Sequence, residues 1–366
     1  MVIALNTKII RRNELTEDDN FIFETFSRII KLQPNHQFVL ISEKKIDDAI
    51  NSFENVVNIV IGKQRKNAVL RYLFHNIKIP AVLKKYKADV YISCNGVASL
   101  AIKIPQCIVV ADFGFIHQPS FFKTFISRSL KKAKIIFMVS EFSKREIIKQ
   151  YKTNADKIIV VYKCVNENFK AINYEEREEV KSKYTNGNEY FIYSGEIGSD
   201  KNLLNLLKAF SAFKKRQKSN MQLLIAGTPG WKYEDFMKSL RLFMFKNEVK
   251  ILKNPSLEER INITTAAYAM VYPSVYDGLA TGPLEAIKSG VPLIASAKGA
   301  VPEMFADAAL YADTENFKEI AVKMMQLFRD ENLRKELTGK GTITAEKFNW
   351  DVSAEFLWKN IEEVKR

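Results

Sequence analysis

Two carboxylates, Asp277 and Glu285, stand with seven residues between them inside the stretch 267–290. The apolar run that ends at Tyr272 reads as a strand. A loop punctuated by Pro273, Gly278 and Gly282 follows, and helical spacing resumes at Pro283 through Leu284 and Ile287. Pro283 suits a first helical position, where its missing N–H would find no partner anyway, and Thr281 or Gly282 falls at the cap. A helix opening on such a loop presents free N–H groups and the positive end of its dipole, which suits a phosphate. Carboxylates beside a phosphate would repel it, so their natural partners are neutral hydroxyls. Phosphate plus hydroxyls points to a sugar nucleotide. The same residues also fit a plainer reading, with Asp277 as a turn former and Glu285 as a counter-charge near a helix start, and spacing alone does not choose.

A cation stands at a second junction of this kind. Residues 190–195 read as a strand ending at Gly195, the loop 196–202 carries Lys201 and Asn202, and Leu203, Leu206, Leu207 and Phe210 then follow helical spacing. A lysine held there can neutralise a diphosphate leaving group; it also fits a solvated surface charge. In the loop 112–122, His117 sits in polar company with Asp112 and Pro119. A histidine so placed is a candidate polar or proton-handling group, or simply one that bonds the loop backbone.

The elements that must position these residues alternate. Short apolar runs at 2–5, 36–41, 56–61, 89–93, 107–111 and 135–140 are separated by helical stretches, among them one near 68–86. Runs at 190–195, 221–227, 249–253, 267–272, 291–296 and 308–311 repeat the alternation after a charged segment at 174–183. Strand, helix, strand in this order means parallel units and an α/β protein with doubly wound sheets, whose ligands bind beyond the carboxyl ends of the strands. No internal sequence repeat is visible. The two halves repeat architecture only.

At 366 residues and 47% hydrophobic the chain can bury sizeable cores, and its length predicts two or three domains and not one. No apolar run reaches the ~20 residues of a membrane-spanning helix. The opening run 1–6 is too short for a secretory signal, with Arg11 and Arg12 on its wrong side, so the expected location is the cytoplasm. Cys94, Cys107 and Cys164 are odd in number and lack metal-ligand spacing, which predicts reduced core residues. The net charge of +14 predicts attraction to something anionic: nucleic acid, an acidic lipid leaflet or an anionic substrate. Basic residues are scattered with no recognisable nucleic-acid module, which argues against the first.

The segment 273–296, Pro-Ser-Val-Tyr-Asp-Gly-Leu-Ala-Thr-Gly-Pro-Leu-Glu-Ala-Ile-Lys-Ser-Gly-Val-Pro-Leu-Ile-Ala-Ser, resembles the signature of the family-four retaining glycosyltransferases. The resemblance implies the GT-B fold, two facing Rossmann-like doubly wound parallel-sheet domains. It implies an acceptor-side domain at 1–170, a nucleotide-sugar-binding domain at 171–345, and a C-terminal helix at 346–366 crossing back to the first domain. Glu285 would hold the nucleotide ribose and Asp277, where the family usually has Glu, the donor sugar. Amides of Gly278, Leu279, Ala280, Thr281 and Gly282 would hold the diphosphate, with Gly195, Asn202 and Gly227 lining the donor site and Lys201 opposing the leaving charge. Asp200 stands where the family usually carries Arg, and the first loop, 6–13, has no glycine. His117 with Pro119 resembles the His-x-Pro of the mannosyltransferase branch; in another register Ala111 takes the histidine's place and leaves Asp112.

The implied reaction is retaining transfer of a hexose, mannose favoured, from a nucleotide-sugar donor to a glycan or lipid-linked acceptor in surface polysaccharide synthesis. No Asp-x-Asp is present, and no metal or other cofactor is expected. The rival reading is a degenerate GT-B protein that binds nucleotide sugar or serves as a partner subunit. The segment 121–134 interleaves Phe121, Phe122 and Phe125 with Lys123, Arg128, Lys131 and Lys132. It fits an interfacial helix making reversible contact with an anionic membrane, and equally a surface helix packed through its Phe side.

Overall fold

The computed structural model describes residues 1–7, 17–43, 50, 52–62, 68–111, 120–198, 201–274, 278 and 281–364. The chain forms two compact units, Met1–Lys163 together with Asn349–Arg366, and Cys164–Phe348. Each is built on one sheet in which every pairing among the described residues is parallel.

The first sheet takes strands β1 (Val2–Asn6), β2 (Gln37–Ser42), β3 (Val56–Val60), β4 (Val90–Ser93), β5 (Gln106–Val110), β6 (Ile135–Met138) and β7 (Ile158–Val160). Their order is β3-β2-β1-β4-β5-β6-β7. Its inner strands are buried apart from the first residues of β1, β2 and β6, as sheets covered by helices on both faces require, so they read as apolar runs and not as alternation. β7 is an edge strand of this sheet. It is three residues long, too short for a period to show.

The helical stretch near 68–86 is not one regular helix. Ala68–Leu73 passes through a π-turn at Phe74–Lys78 before Ile79–Lys85 resumes. Pro80 has no N–H to give and its ring crowds the carbonyl four residues back, so the ladder widens there. The distortion is anchored by Asn76, whose Oδ1 accepts from the Leu100 amide at 2.7 Å.

The helix Ser120–Lys132 buries Phe125, Ile126 and Leu130 in the core of the first unit, with the Phe125 ring edge-on to Tyr72 at 5.3 Å. Phe125 is therefore a packing residue and is not presented to a lipid surface; the side chains of Phe121 and Phe122 lie outside the described residues. The last helix, Trp350–Glu363, packs on Glu17–Leu32 of the first unit. Arg28 Nε lies 2.7 Å from an Asp351 carboxylate oxygen, Ser353 donates to the Tyr162 carbonyl at 2.9 Å, and Trp358 meets His36. No helix among the described residues is long and apolar enough to cross a membrane.

The second sheet takes β8 (Tyr190–Ser194), β9 (Gln222–Gly227), β10 (Val249–Lys253), β11 (Ala269–Tyr272), β12 (Leu293–Ser296) and β13 (Ala309–Ala312), in the order β10-β9-β8-β11-β12-β13. Chain order reverses between β8 and β11. A crevice opens beyond the carboxyl ends of the two strands at such a point, and the loops leaving them are the two that sequence singles out: the Lys201 loop and the 273–282 loop.

Candidate functional site

The C-terminal ends of β8, β9 and β11 are drawn together by glycines. A Cβ on Gly227 would stand 1.6 Å from the Gly195 carbonyl oxygen, and Gly227 holds φ +154°, which L side chains rarely adopt. Beyond it, Ile197 donates to the Thr228 carbonyl at 2.8 Å, so the loops after β8 and β9 stay paired past the sheet. A Cβ on Gly282 would lie 2.6 Å from the Ser194 carbonyl. The start of the helix Thr281–Lys288 is thereby seated on the end of β8, with the Tyr272 ring stacked on Tyr193 beneath it at 5.6 Å. Gly195, Gly227 and Gly282 thus have a packing reason at this crevice. Gly278 is buried.

Asn202 ties the rim. Its side-chain amide donates to the Pro273 carbonyl at 3.2 Å and to the Thr314 carbonyl at 2.7 Å, joining the loops after β8, β11 and β13. It holds a left-handed conformation (φ +60°), which asparagine tolerates better than most residues. Asn205, a turn further on, donates to the carbonyls of Thr314 and Glu315. Lys201, half-buried, precedes Asn202 at the mouth of the helix Leu203–Gln217, its amide bonded to the Gly198 carbonyl at 3.2 Å. That helix is fixed by its buried face, Leu203, Leu206, Leu207, Phe210 and Phe213.

Glu285 is 2% exposed, in the first half of the Thr281–Lys288 helix. Its Oε1 lies 3.2 Å from Nη2 of Arg260, which comes from the neighbouring helix Leu257–Thr265. On the loops after β11 and β13 and at the start of the Thr281–Lys288 helix, the side-chain hydroxyls of Ser274, Thr314 and Thr281 are shielded from solvent and have no hydrogen-bond partner among the described residues. Buried hydroxyls in that condition call for an explanation, and a ligand rich in oxygens supplies one.

Asp277, Leu279, Ala280, Asp200, Asp112 and His117 lie outside the described residues. Ala111 is buried at the end of β5. Sequence reasoning missed Arg260, the anchoring role of Asn202, and Thr314. Arg260 looks like one more surface charge in an acidic helix start, Leu-Glu-Glu-Arg, and no period marks it.

Two Rossmann-like parallel-sheet units, the second with its loops gathered at the switch point, define a protein of the GT-B class. Residues 175–343 match the model for glycosyl transferases group 1. The chain is 28% identical to the O-antigen chain mannosyltransferase B of Escherichia coli over 62% of its length, and spans 60% of that relative. It is 25% identical to the O-antigen chain mannosyltransferase RfbU of Salmonella typhimurium, covering 78% of this chain and 79% of that one. Among solved structures it resembles a glycosyltransferase from Rickettsia africae, with a TM-score of 0.77 at 18% identity over 99% and 98% of the two chains. It resembles Anabaena HepE in complex with UDP-glucose equally, with a TM-score of 0.77 at 12% identity over 99% and 100%. Residues 175–343 thus match the group 1 glycosyl transferases, and the chain as a whole has a GT-B fold and is similar to mannosyltransferases.

Proposed function

We propose that this protein transfers mannose from a nucleotide-sugar donor, with retention at the anomeric carbon, to a glycan or lipid-linked oligosaccharide in surface polysaccharide synthesis. The observation that carries the reading is Glu285. A carboxylate buried in the helix that follows the switch-point strand β11 suits the neutral diol of a ribose. The names of the curated relatives favour mannose and O-antigen chains, and the family match favours transfer over mere binding.

In this reading Glu285 accepts from the ribose hydroxyls, and the amides at the start of the Thr281–Lys288 helix take the diphosphate. Asp277 orients the donor sugar. Lys201, at the facing loop end of β8, opposes the charge that grows on the diphosphate as the glycosidic bond breaks, without a metal ion. His117 or Asp112 contributes a polar group to the transferred sugar. No protein nucleophile is invoked; the acceptor attacks on the face from which the leaving group departs. The work takes place on the cytoplasmic side of the membrane, with reversible contact to anionic lipid drawn by the +14 charge.

The test is incubation with a panel of mannose, glucose and galactose nucleotide sugars, with and without chelator, reading released nucleotide and the anomeric configuration of any product. Mannose release with retention supports the reading. Nucleotide binding without turnover on any donor would favour a degenerate, partner-subunit role.

A further inference from the structure

We infer that Arg260 is a positioning residue for donor binding: it holds the Glu285 carboxylate ionised and in one orientation, so that the ribose diol meets a fixed acceptor. The inference rests on the reading of Glu285 as the ribose partner and adds a residue that the family signature at 273–296 does not contain.

Glu285 is almost wholly removed from water, and an ionised carboxylate so placed needs a partner. Arg260 supplies it at 3.2 Å through Nη2. The guanidinium is itself fixed on a second side, its Cζ 5.9 Å from the centre of the buried Phe169 ring. The helix that carries it starts at a reciprocal cap. Ser256 Oγ accepts from the Glu259 amide at 3.1 Å, the Glu259 carboxylate accepts from the Ser256 amide at 2.9 Å, and the Arg260 amide bonds the Ser256 carbonyl at 2.9 Å.

The carboxylate and the aromatic ring thus meet the guanidinium on two sides, and the cap fixes the backbone that carries it. Arginine keeps its charge at any working pH, whereas a lysine here would be a point charge on a freer stem. Contacts that set the orientation of a binding group are felt as ligand selectivity as well as affinity.

The experiment is isothermal calorimetry of GDP and UDP, each against its 2′,3′-dideoxy counterpart, with the parent protein, Glu285→Gln, Arg260→Met, Arg260→Gln and Arg260→Lys. The parent should prefer the ribonucleotide about tenfold, the scale of one charge-assisted hydrogen bond. Arg260→Met should reduce that preference to about twofold or less, with Arg260→Lys retaining most of it. Arg260→Gln, polar and close in length, carries the same expectation as Arg260→Met should the latter not fold. If Arg260→Met and Arg260→Gln weaken both nucleotides alike and keep the parent's preference, Arg260 is only a packing residue and the inference fails while the ribose reading stands. If Glu285→Gln itself keeps the preference, the ribose reading falls and this inference with it.

Discussion

The side-chain amide of Asn202 donates to the carbonyl of Thr314 at 2.7 Å, across more than a hundred residues of chain, and its second hydrogen reaches the Pro273 carbonyl. One side chain thus fixes the spacing of three loops at the switch-point crevice. Asn202→Ala should cost about 1–3 kcal/mol, from two hydrogen bonds of ~0.5–1.5 kcal/mol each and the left-handed backbone that alanine resists. Asn202→Gly relieves the backbone and should lose less. Urea unfolding of both variants checks this; an Asn202→Gly variant as stable as the parent would show that the two loop bonds contribute little beside the backbone.

At Gly282 the prediction is steric. An added methyl would meet the backbone oxygen of Ser194, which cannot rotate away, so Gly282→Ala should destabilise by about 1–3 kcal/mol and shift the helix start. Nucleotide affinity should fall with it. A variant with parental melting temperature and affinity would mean that the helix is seated by other contacts.

Lys201→Ala should lower kcat far more than it raises KM, because the diphosphate charge it opposes is greatest in the transition state. Steady-state kinetics on the donor identified by the panel decides it. Parental turnover in the variant, or loss of parental activity to chelator, would count against lysine standing in for a metal.

Phe125 belongs to the core of the first unit, so Phe125→Ala should destabilise by about 3–5 kcal/mol. Its effect on co-sedimentation with anionic vesicles should follow the folded fraction alone. Vesicle binding lost by a fully folded Phe125→Ala would return the ring to a lipid-contacting role.

The cysteines should be silent in the folded protein. Cys107 is fully buried and burial pushes its thiol up to about 12; Cys94, half-buried and so not the core residue the sequence predicts, has its thiol pushed well above its ordinary value by partial desolvation. A raised folded value means that the thiol form is favoured by folding. Its contribution is complete below the ordinary thiol value near 9 and is lost as pH rises through about 12. Ellman's reagent at pH 8 should label these two thiols only on unfolding in urea; labelling of either in the native protein within minutes would contradict it.

The parallel α/β architecture was legible because both faces of each inner strand are covered, which leaves unbroken apolar runs such as Phe38–Ile41 and Leu223–Ala226 separated by amphipathic helices. The strand and the helix around Glu285 were legible too, although the helix starts at Thr281, two residues before the Pro283 that the sequence suggests as its first position. Local periodicity carries no information on which loops meet. That the Lys201 loop and the helix bearing Glu285 follow neighbouring strands is set by the sheet order, which puts β8 beside β11 although β9 and β10 lie between them in the chain. Only that neighbourhood turns Asn202 into a tie between loops, gives Gly282 its contact with Ser194, and sets the charge of Arg260 against Glu285. Sequence supplied the groups; long-range strand pairing decided which of them meet, because a contact between distant residues depends on the packing of everything between them and on no repeat that either residue displays.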